Sequence, residues 1–220
     1  MDDVTIHVTG VAEETVGLPG KHSDVKPVPV TAGGITFPDV AGHTNQAAIE
    51  TLAARGIING RDNGLFVPDA TMTRSEFAAI VVRALGLTPK TTDIFTDVSA
   101  DAWYAGYVGT AYTYGIINGV GDGRFLPNGT ISRQEAAVMV ARAAKLCGMD
   151  TALEDYQILN TLAQFTDYVT IAPWARAGLA FCYGEDILDQ SDLNVEPIRA
   201  ILRCEIAEML CNLLDSAKLL

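Results

Sequence analysis

Three times along the chain, apolar residues recur with a helical period behind the same short polar preface. In TMTRSEFAAIVVRALGL, residues 71–87, the positions Phe77, Ile80, Val81, Ala84 and Leu85 follow i, i+3, i+4, i+7, i+8, one face of an amphipathic helix. Thr73 and Glu76 stand three apart just ahead of it and predict a capping box. TISRQEAAVMVARAAKL, from Thr130, repeats the arrangement with Ser132 and Glu135, and with Ala136, Met139, Val140, Ala143 and Ala144 on the face. AILRCEIAEMLCNLLDS, from Ala200, repeats it again with Glu205 and with Ile206, Met209, Leu210, Leu213 and Leu214. Here Leu202 stands where the Thr or Ser cap was.

Upstream segments repeat in step. FPDV at Phe37 matches FTDV at Phe95 and FTDY at Phe165. RGIINGRDNGLFVPDA, residues 55–70, matches YGIINGVGDGRFLPNG, residues 114–129. The third copy, residues 185–200, keeps Pro197 but has lost every glycine. Trp103 and Trp174 mark one place in copies two and three, where copy one has Asn45. Each unit thus reads as a Phe-x-Asp entry, a first helix, a Gly-rich turn, a Phe-x-Pro segment that cannot be helical at its proline, and the capped second helix. Two amphipathic helices cannot bury their apolar faces alone, so the units must share a core. The expected fold is mainly α: three helix-loop-helix repeats in a pseudo-threefold, three-pronged bundle, with a short β-like N-terminal extension. The repeats are placed at 35–92, 93–150 and 163–220. Residues 151–162 read as a partly helical inserted connector. Residues 1–34 read as a strand, VTIHVTG, and a Pro/Gly linker trailing from a preceding domain.

Charge narrows the partners. With 27 acidic and 15 basic residues the chain carries a formal −12, which argues against nucleic acid and against loose adhesion to anionic surfaces. Any anionic ligand has to be caught in a local pocket. No apolar run approaches the roughly 18 residues of a membrane span. The acidic start lacks a signal-peptide core, so the chain is either cytosolic or a piece of a longer exported protein. Cys147, Cys182, Cys204 and Cys211 have no CxxC spacing and read as buried free thiols rather than a zinc site. The GDG at 121–123 lacks the alternating ligands of a calcium loop, His43 reads as a solvated loop histidine, and no cofactor is implied. No nucleophile-and-base pair or paired carboxylates stand out, so an enzyme is not indicated.

One residue type contradicts its position. Arg74, Arg133 and Arg203 each open a second helix, where the dipole is positive and favours an acid. A guanidinium there, beside unpaired helix N–H groups, would cost some stability and make an anion site. The structural alternative is an ion pair with a neighbouring acid such as Asp39 or Asp97. Gly60 and Gly119, closing the GIING turns, could simply supply a positive φ. Trp103 and Trp174 could stack on a ligand or be buried between prongs.

The segments FPDV, FTDV, the two GIING turns, LFVPDATMTRSEF, RFLPNGTISRQEA and the weaker NVEPIRAILRCEI resemble S-layer homology domains. TRSE and SRQE are close to the family's closing Thr-Arg-Ala-Glu-like tetrapeptide, and the resemblance spans roughly residues 35–218. It implies a noncovalent cell-wall anchor at the cell surface whose grooves bind secondary cell-wall polysaccharide, in much of the family a terminal pyruvylated N-acetylmannosamine. It implies ligand contacts for Arg74, Arg133 and Arg203, and close sugar approach at Gly60 and Gly119. Copy three has Gln190 in place of that glycine, so Arg203 is expected to matter least. Alanine in place of Arg74 or Arg133 is expected to leave folding intact. The competing class is a protein- or peptide-binding helical repeat module.

Overall fold

The computed structural model describes residues 17–220, so the expected VTIHVTG strand lies outside the described residues. Seven α-helices follow in order: α1 (Gln46–Ala53), α2 (Arg74–Ala84), α3 (Ala105–Thr113), α4 (Arg133–Leu146), α5 (Asp155–Leu162), α6 (Arg176–Gly184) and α7 (Arg203–Ser216). The second helices α2, α4 and α7 begin at the N-caps Thr73, Ser132 and Leu202. Thr73 and Ser132 form the predicted capping boxes with Glu76 and Glu135. At Leu202 half of the device survives: Glu205 Oε2 accepts the Leu202 N–H at 2.7 Å.

All the face positions predicted on α2, α4 and α7 are buried, with exposures of 0–6%. Burying a Leu, Ile or Phe side chain is worth about 1.5–3 kcal/mol each, so the three stripes hold the bundle together. The helices do not stack in line. The second helix of each repeat packs on the first helix of the next: α2 on α3, α4 on α6, and α7 back on α1. That return closes a ring of three prongs.

The ring is stitched at its centre by backbone. Isolated antiparallel bridges join Thr73 to Thr130, Ser132 to Ala200 and Thr71 to Leu202. The first N–H groups of each second helix are satisfied by the Phe-x-Pro loop of the next repeat. Arg74 and Ser75 donate to Gly129 and Pro127 oxygens at 2.9 and 3.0 Å, Arg133 and Gln134 to Arg199 and Pro197 at 2.9 and 3.0 Å, and Arg203 and Cys204 to Ala70 and Pro68 at 2.9 and 3.0 Å. Donors that a helix leaves without partners thus fix the neighbouring repeat.

The Phe-x-Asp entry holds that loop in shape. Asp39 accepts from the Phe66 and Val67 N–H groups at 2.9 and 2.6 Å, Asp97 from Phe125 and Leu126 at 2.8 and 2.8 Å, and Asp167 from Val195 and Glu196 at 2.7 and 2.8 Å. The second residue of each pair, just before proline, sits at positive φ: Val67 at 58°, Leu126 at 57° and Glu196 at 50°. These aspartates are therefore loop clamps, not the ion-pair partners considered for the arginines.

Residues 17–34, read as a linker, are extended but docked as a strap across helix C-termini. His22 N–H donates to Leu146 O at 2.8 Å, Lys26 to Leu85 O at 3.0 Å, and Thr31 to Ala54 O at 2.9 Å. Gly86, at φ 62°, leaves only 2.7 Å between the Lys26 carbonyl oxygen and any Cβ added there. Gly86→Ala is expected to cost about 1–2 kcal/mol for the left-handed conformation alone, and to lift the strap. Limited proteolysis would then cut within residues 17–34 faster than in the parent, whereas an unchanged cleavage rate would count against a docked strap. The connector is helical at α5 and packs on α6. All four cysteines are free; Cys147, Cys182 and Cys204 are buried and Cys211 half-buried.

Candidate functional site

The ring places each signature arginine against the repeat that follows it. Arg74 is only 7% exposed; its Nε donates to Phe125 O at 2.8 Å and its Nη1 to Glu135 Oε1 at 2.5 Å. The guanidinium lies over the Phe125 ring, 4.9 Å from the centroid. Arg133 repeats this one step on, with Nε on Val195 O at 2.8 Å and Nη1 on Glu205. The opening-helix cation is therefore paired, and the N–H groups beside it are used by neighbouring carbonyls. The acid partners are Glu135 and Glu205 of the next repeat's capping boxes, not Asp39 or Asp97.

The third step breaks the pattern. Arg203 donates Nε to Phe66 O and Nη2 to Asn59 O, both at 2.9 Å, and lies 4.5 Å from the Phe66 ring centroid. Its expected partner Glu76 is paired instead with Arg61 at 3.0 Å. Burial, with Arg61 close by, pushes the Arg203 guanidinium down to about 10. Glu205 has the opposite surroundings. Burial opposes its charge, but Arg199, the Leu202 N–H and Arg133 together hold its carboxyl below the ordinary value.

This offset permutes the sites. The groove that contains Arg74 is walled by the Asn118–Gly119 turn and by Glu135, Met139 and Arg142 of repeat two, and is overhung by Trp174 of repeat three. It has a volume of about 430 Å³, within the roughly 300–1,000 Å³ usual for small-ligand pockets. By the same rotation Arg203 meets the Asn59–Gly60 turn of repeat one. Arg133 faces the altered turn at Asp189 and Gln190. The degenerate turn thus belongs with Arg133, whereas copy three's own Arg203 serves an intact glycine turn.

Gly60 and Gly119 are not at positive φ; that role falls to Gly56 and Gly115, and to Asp186 in repeat three. A Cβ on Gly119 would lie 2.6 Å from Arg124 O and 2.8 Å from the Phe95 ring, and one on Gly60 would lie 2.6 Å from the Phe37 ring. Both glycines are required by packing inside the turn. Trp103 and Trp174 are each 59% exposed and not buried between prongs. The Trp174 indole, on the rim of the groove, presents an apolar face with a polar N–H.

Sequence reasoning passed over Arg142. It stands nine residues after Arg133, as Arg83 stands after Arg74, so the repeat register could have found it. Arg83 is occupied, with Nε on Tyr107 Oη at 3.2 Å and the guanidinium 4.7 Å from that ring's centroid. Copy three has Asn212 there. His43, Asp69 and Cys204 approach within 4.8 Å of one another at the seam of repeats one and three. His43 Nδ1 accepts the Asn45 N–H at 3.0 Å, which leaves the ring proton on the Nε2 that faces Asp69. That tautomer turns no lone pair toward a cation.

A closed three-pronged ring whose groove gathers two arginines, a glycine turn and an exposed indole has the make-up of a binding module. Residues 36–78 and 94–137 match the S-layer homology domain. The chain carries S-layer homology domains, a noncatalytic cell-wall anchoring module, and belongs to the cell surface, the cell wall or S-layer. It is 32% identical over 172 residues to the Surface-layer 125 kDa protein of Lysinibacillus sphaericus, covering 78% of this chain and 14% of that protein. It is 38% identical over 189 residues to S-layer protein sap of Bacillus anthracis, covering 84% and 22%. It is 32% identical over 185 residues to an Amylopullulanase of Thermoanaerobacterium thermosulfurigenes, covering 83% and 10%. The chain thus spans a small part of each relative's length.

Proposed function

We propose that this chain fastens a larger exported protein to the bacterial cell wall by binding secondary cell-wall polysaccharide in the grooves between repeats. The ligand is an acidic, pyruvylated amino sugar. The observation that carries this reading is the groove itself, which sets the Gly119 turn and the half-buried Arg142 of repeat two and the exposed Trp174 of repeat three around Arg74 of repeat one. An indole offers a flat apolar surface to a sugar ring, and a guanidinium fork matches a carboxylate. The net charge of −12 fits a ligand selected by a local pocket rather than by a general field.

The test is sedimentation with purified cell walls, native and stripped of pyruvate. The chain is expected to co-sediment with native walls and to lose at least about tenfold in affinity on stripped walls, as the loss of one charge-assisted bond implies. Failure to sediment with either would overturn the reading, and equal binding to both would overturn its acidic part.

A further inference from the structure

We propose that Asn118 is a site of self-modification: its side-chain amide is lost by attack of the Gly119 backbone nitrogen, with Arg142 holding the amide oxygen. The chain has four Asn-Gly pairs, at residues 59–60, 63–64, 118–119 and 128–129, and the fold treats them unequally.

The reaction has three needs: a following residue with no side chain in the way, a backbone N–H free to give up its proton, and an amide carbon made electrophilic. Glycine meets the first in every pair. The second divides them. The Gly64 N–H is held by Arg61 O at 2.9 Å and the Gly129 N–H by Leu126 O at 3.1 Å, whereas those of Gly60 and Gly119 have no acceptor among the described residues. The third separates Asn118 from Asn59. With its amide turned as the neighbouring groups require, Asn118 Nδ2 donates to Ile117 O at 3.0 Å and Oδ1 accepts from Arg142 Nη2 at 3.1 Å. A guanidinium there polarises the carbonyl and meets the charge that attack puts on its oxygen. Arg142 is uncommitted: its other contact is neutral, Ile116 O at 3.4 Å, and it pairs with no carboxylate among the described residues. At Asn59 the nearby guanidinium, that of Arg203, reaches the backbone oxygen at 2.9 Å and not the side chain. Asn118 and Gly119 are both exposed, so water can enter.

The atoms balance with water as the sole co-reactant. The Gly119 nitrogen gives its proton to water, attacks Asn118 Cγ and pushes an electron pair onto Oδ1. Collapse of that oxyanion breaks the Cγ–Nδ2 bond and releases ammonia, leaving a cyclic imide. Water then opens either imide carbonyl, to aspartate or to isoaspartate. In both products a carboxylate replaces the amide beside Arg142, so the groove wall gains a negative charge and Arg142 gains a counter-ion. This holds whether or not the groove takes an acidic sugar.

Peptide mass mapping of the folded whole chain, aged at mildly alkaline pH and digested in acid, tests this. Asn118 should exchange amide for acid first, Asn59 more slowly, and Asn63 and Asn128 last, with isoaspartate among the products. The rate at Asn118 should rise with pH, because the attacking nitrogen must lose its proton. In the urea-unfolded chain the four rates should converge. Arg142→Met should slow Asn118 about tenfold, the step from a neutral to a charge-assisted hydrogen bond, and leave Asn59 unchanged. Should that variant not fold, the comparison of native with unfolded parent decides alone. Loss at Asn118 no faster than at Asn63 and Asn128 in the native chain would overturn the proposal. So would the same ranking in the unfolded chain, or an undiminished rate in folded Arg142→Met.

Discussion

Arg74→Ala is expected to destabilise the bundle by about 3 kcal/mol, the lower end of the cost of breaking a buried ion pair. For a chain of this size that lowers the melting temperature by about 10 °C. Two effects oppose each other here. Removing a cation from the positive end of a helix returns about 0.3–1 kcal/mol. Against that, the alanine abandons the Phe125 carbonyl, the Glu135 carboxylate and the face of the Phe125 ring. The Arg74 side chain is 8% exposed and that of Glu135 is 30% exposed, so water can partly solvate the orphaned glutamate but not replace the arginine. The pair joins repeat one to repeat two, so its loss also loosens the ring. Arg74→Lys should fall between, since the charge remains but the Nε bond to Phe125 goes. A thermal melt of Arg74→Ala within about 2 °C of the parent would show that the dipole term decides, as the sequence alone suggests.

That reversal marks where sequence reading ends. The second helices, their caps and their apolar stripes are legible because each depends on residues within one or two turns. Threefold repetition then forces a shared core, and the ring follows. What periodicity cannot say is which neighbour each repeat faces. Arg74 reaches the turn of repeat two and Arg203 reaches that of repeat one, so the altered Gln190 turn falls to Arg133. Assigning each turn to the arginine of its own repeat therefore pairs the wrong residues. The arginine's partner is likewise hidden: Glu135 looks fully employed as a capping-box acid, yet its Oε1 takes Arg74 while its Oε2 takes the Ser132 N–H. A carboxylate has about four lone-pair sites, and one residue can serve two elements. The strap at residues 17–34 was hidden for a related reason: its bonds to the helix ends are backbone to backbone, and its side-chain anchors, the buried Val25 and the Asp24–Tyr114 bond, are single contacts without a period.

Asp97→Ala carries the other large expected effect, again about 3 kcal/mol, from two hydrogen bonds to a charged acceptor at about 1.5–3 each, taken at the lower end for a partly exposed group. The carboxylate clamps the Phe125 and Leu126 N–H groups at 2.8 Å each. Leu126 sits at φ 57° immediately before Pro127, a conformation that costs about 1–2 kcal/mol for a residue with a Cβ. Without the clamp that strain has no restraint, and the same loop supplies the Pro127 and Gly129 carbonyls that receive α2. The pH dependence follows in sign. Burial resists ionisation of Asp39 and Asp97, but the paired backbone N–H groups outweigh it and hold both carboxyls below their ordinary value of 3.8. A carboxyl depressed by folding contributes its full stability above the unfolded value, near 3.9, and loses it as pH falls through the folded one. The parent should therefore hold its melting temperature from neutral pH down to about 4.5 as far as these two groups are concerned, and fall below about 4. Asp97→Asn retains one acceptor, sets its NH₂ against the second N–H, and has no proton to take up. It should melt lower than the parent at pH 7 and show a shallower decline below pH 4. An Asp97→Asn profile parallel to the parent's across that range would mean that the clamp does not couple protonation to folding.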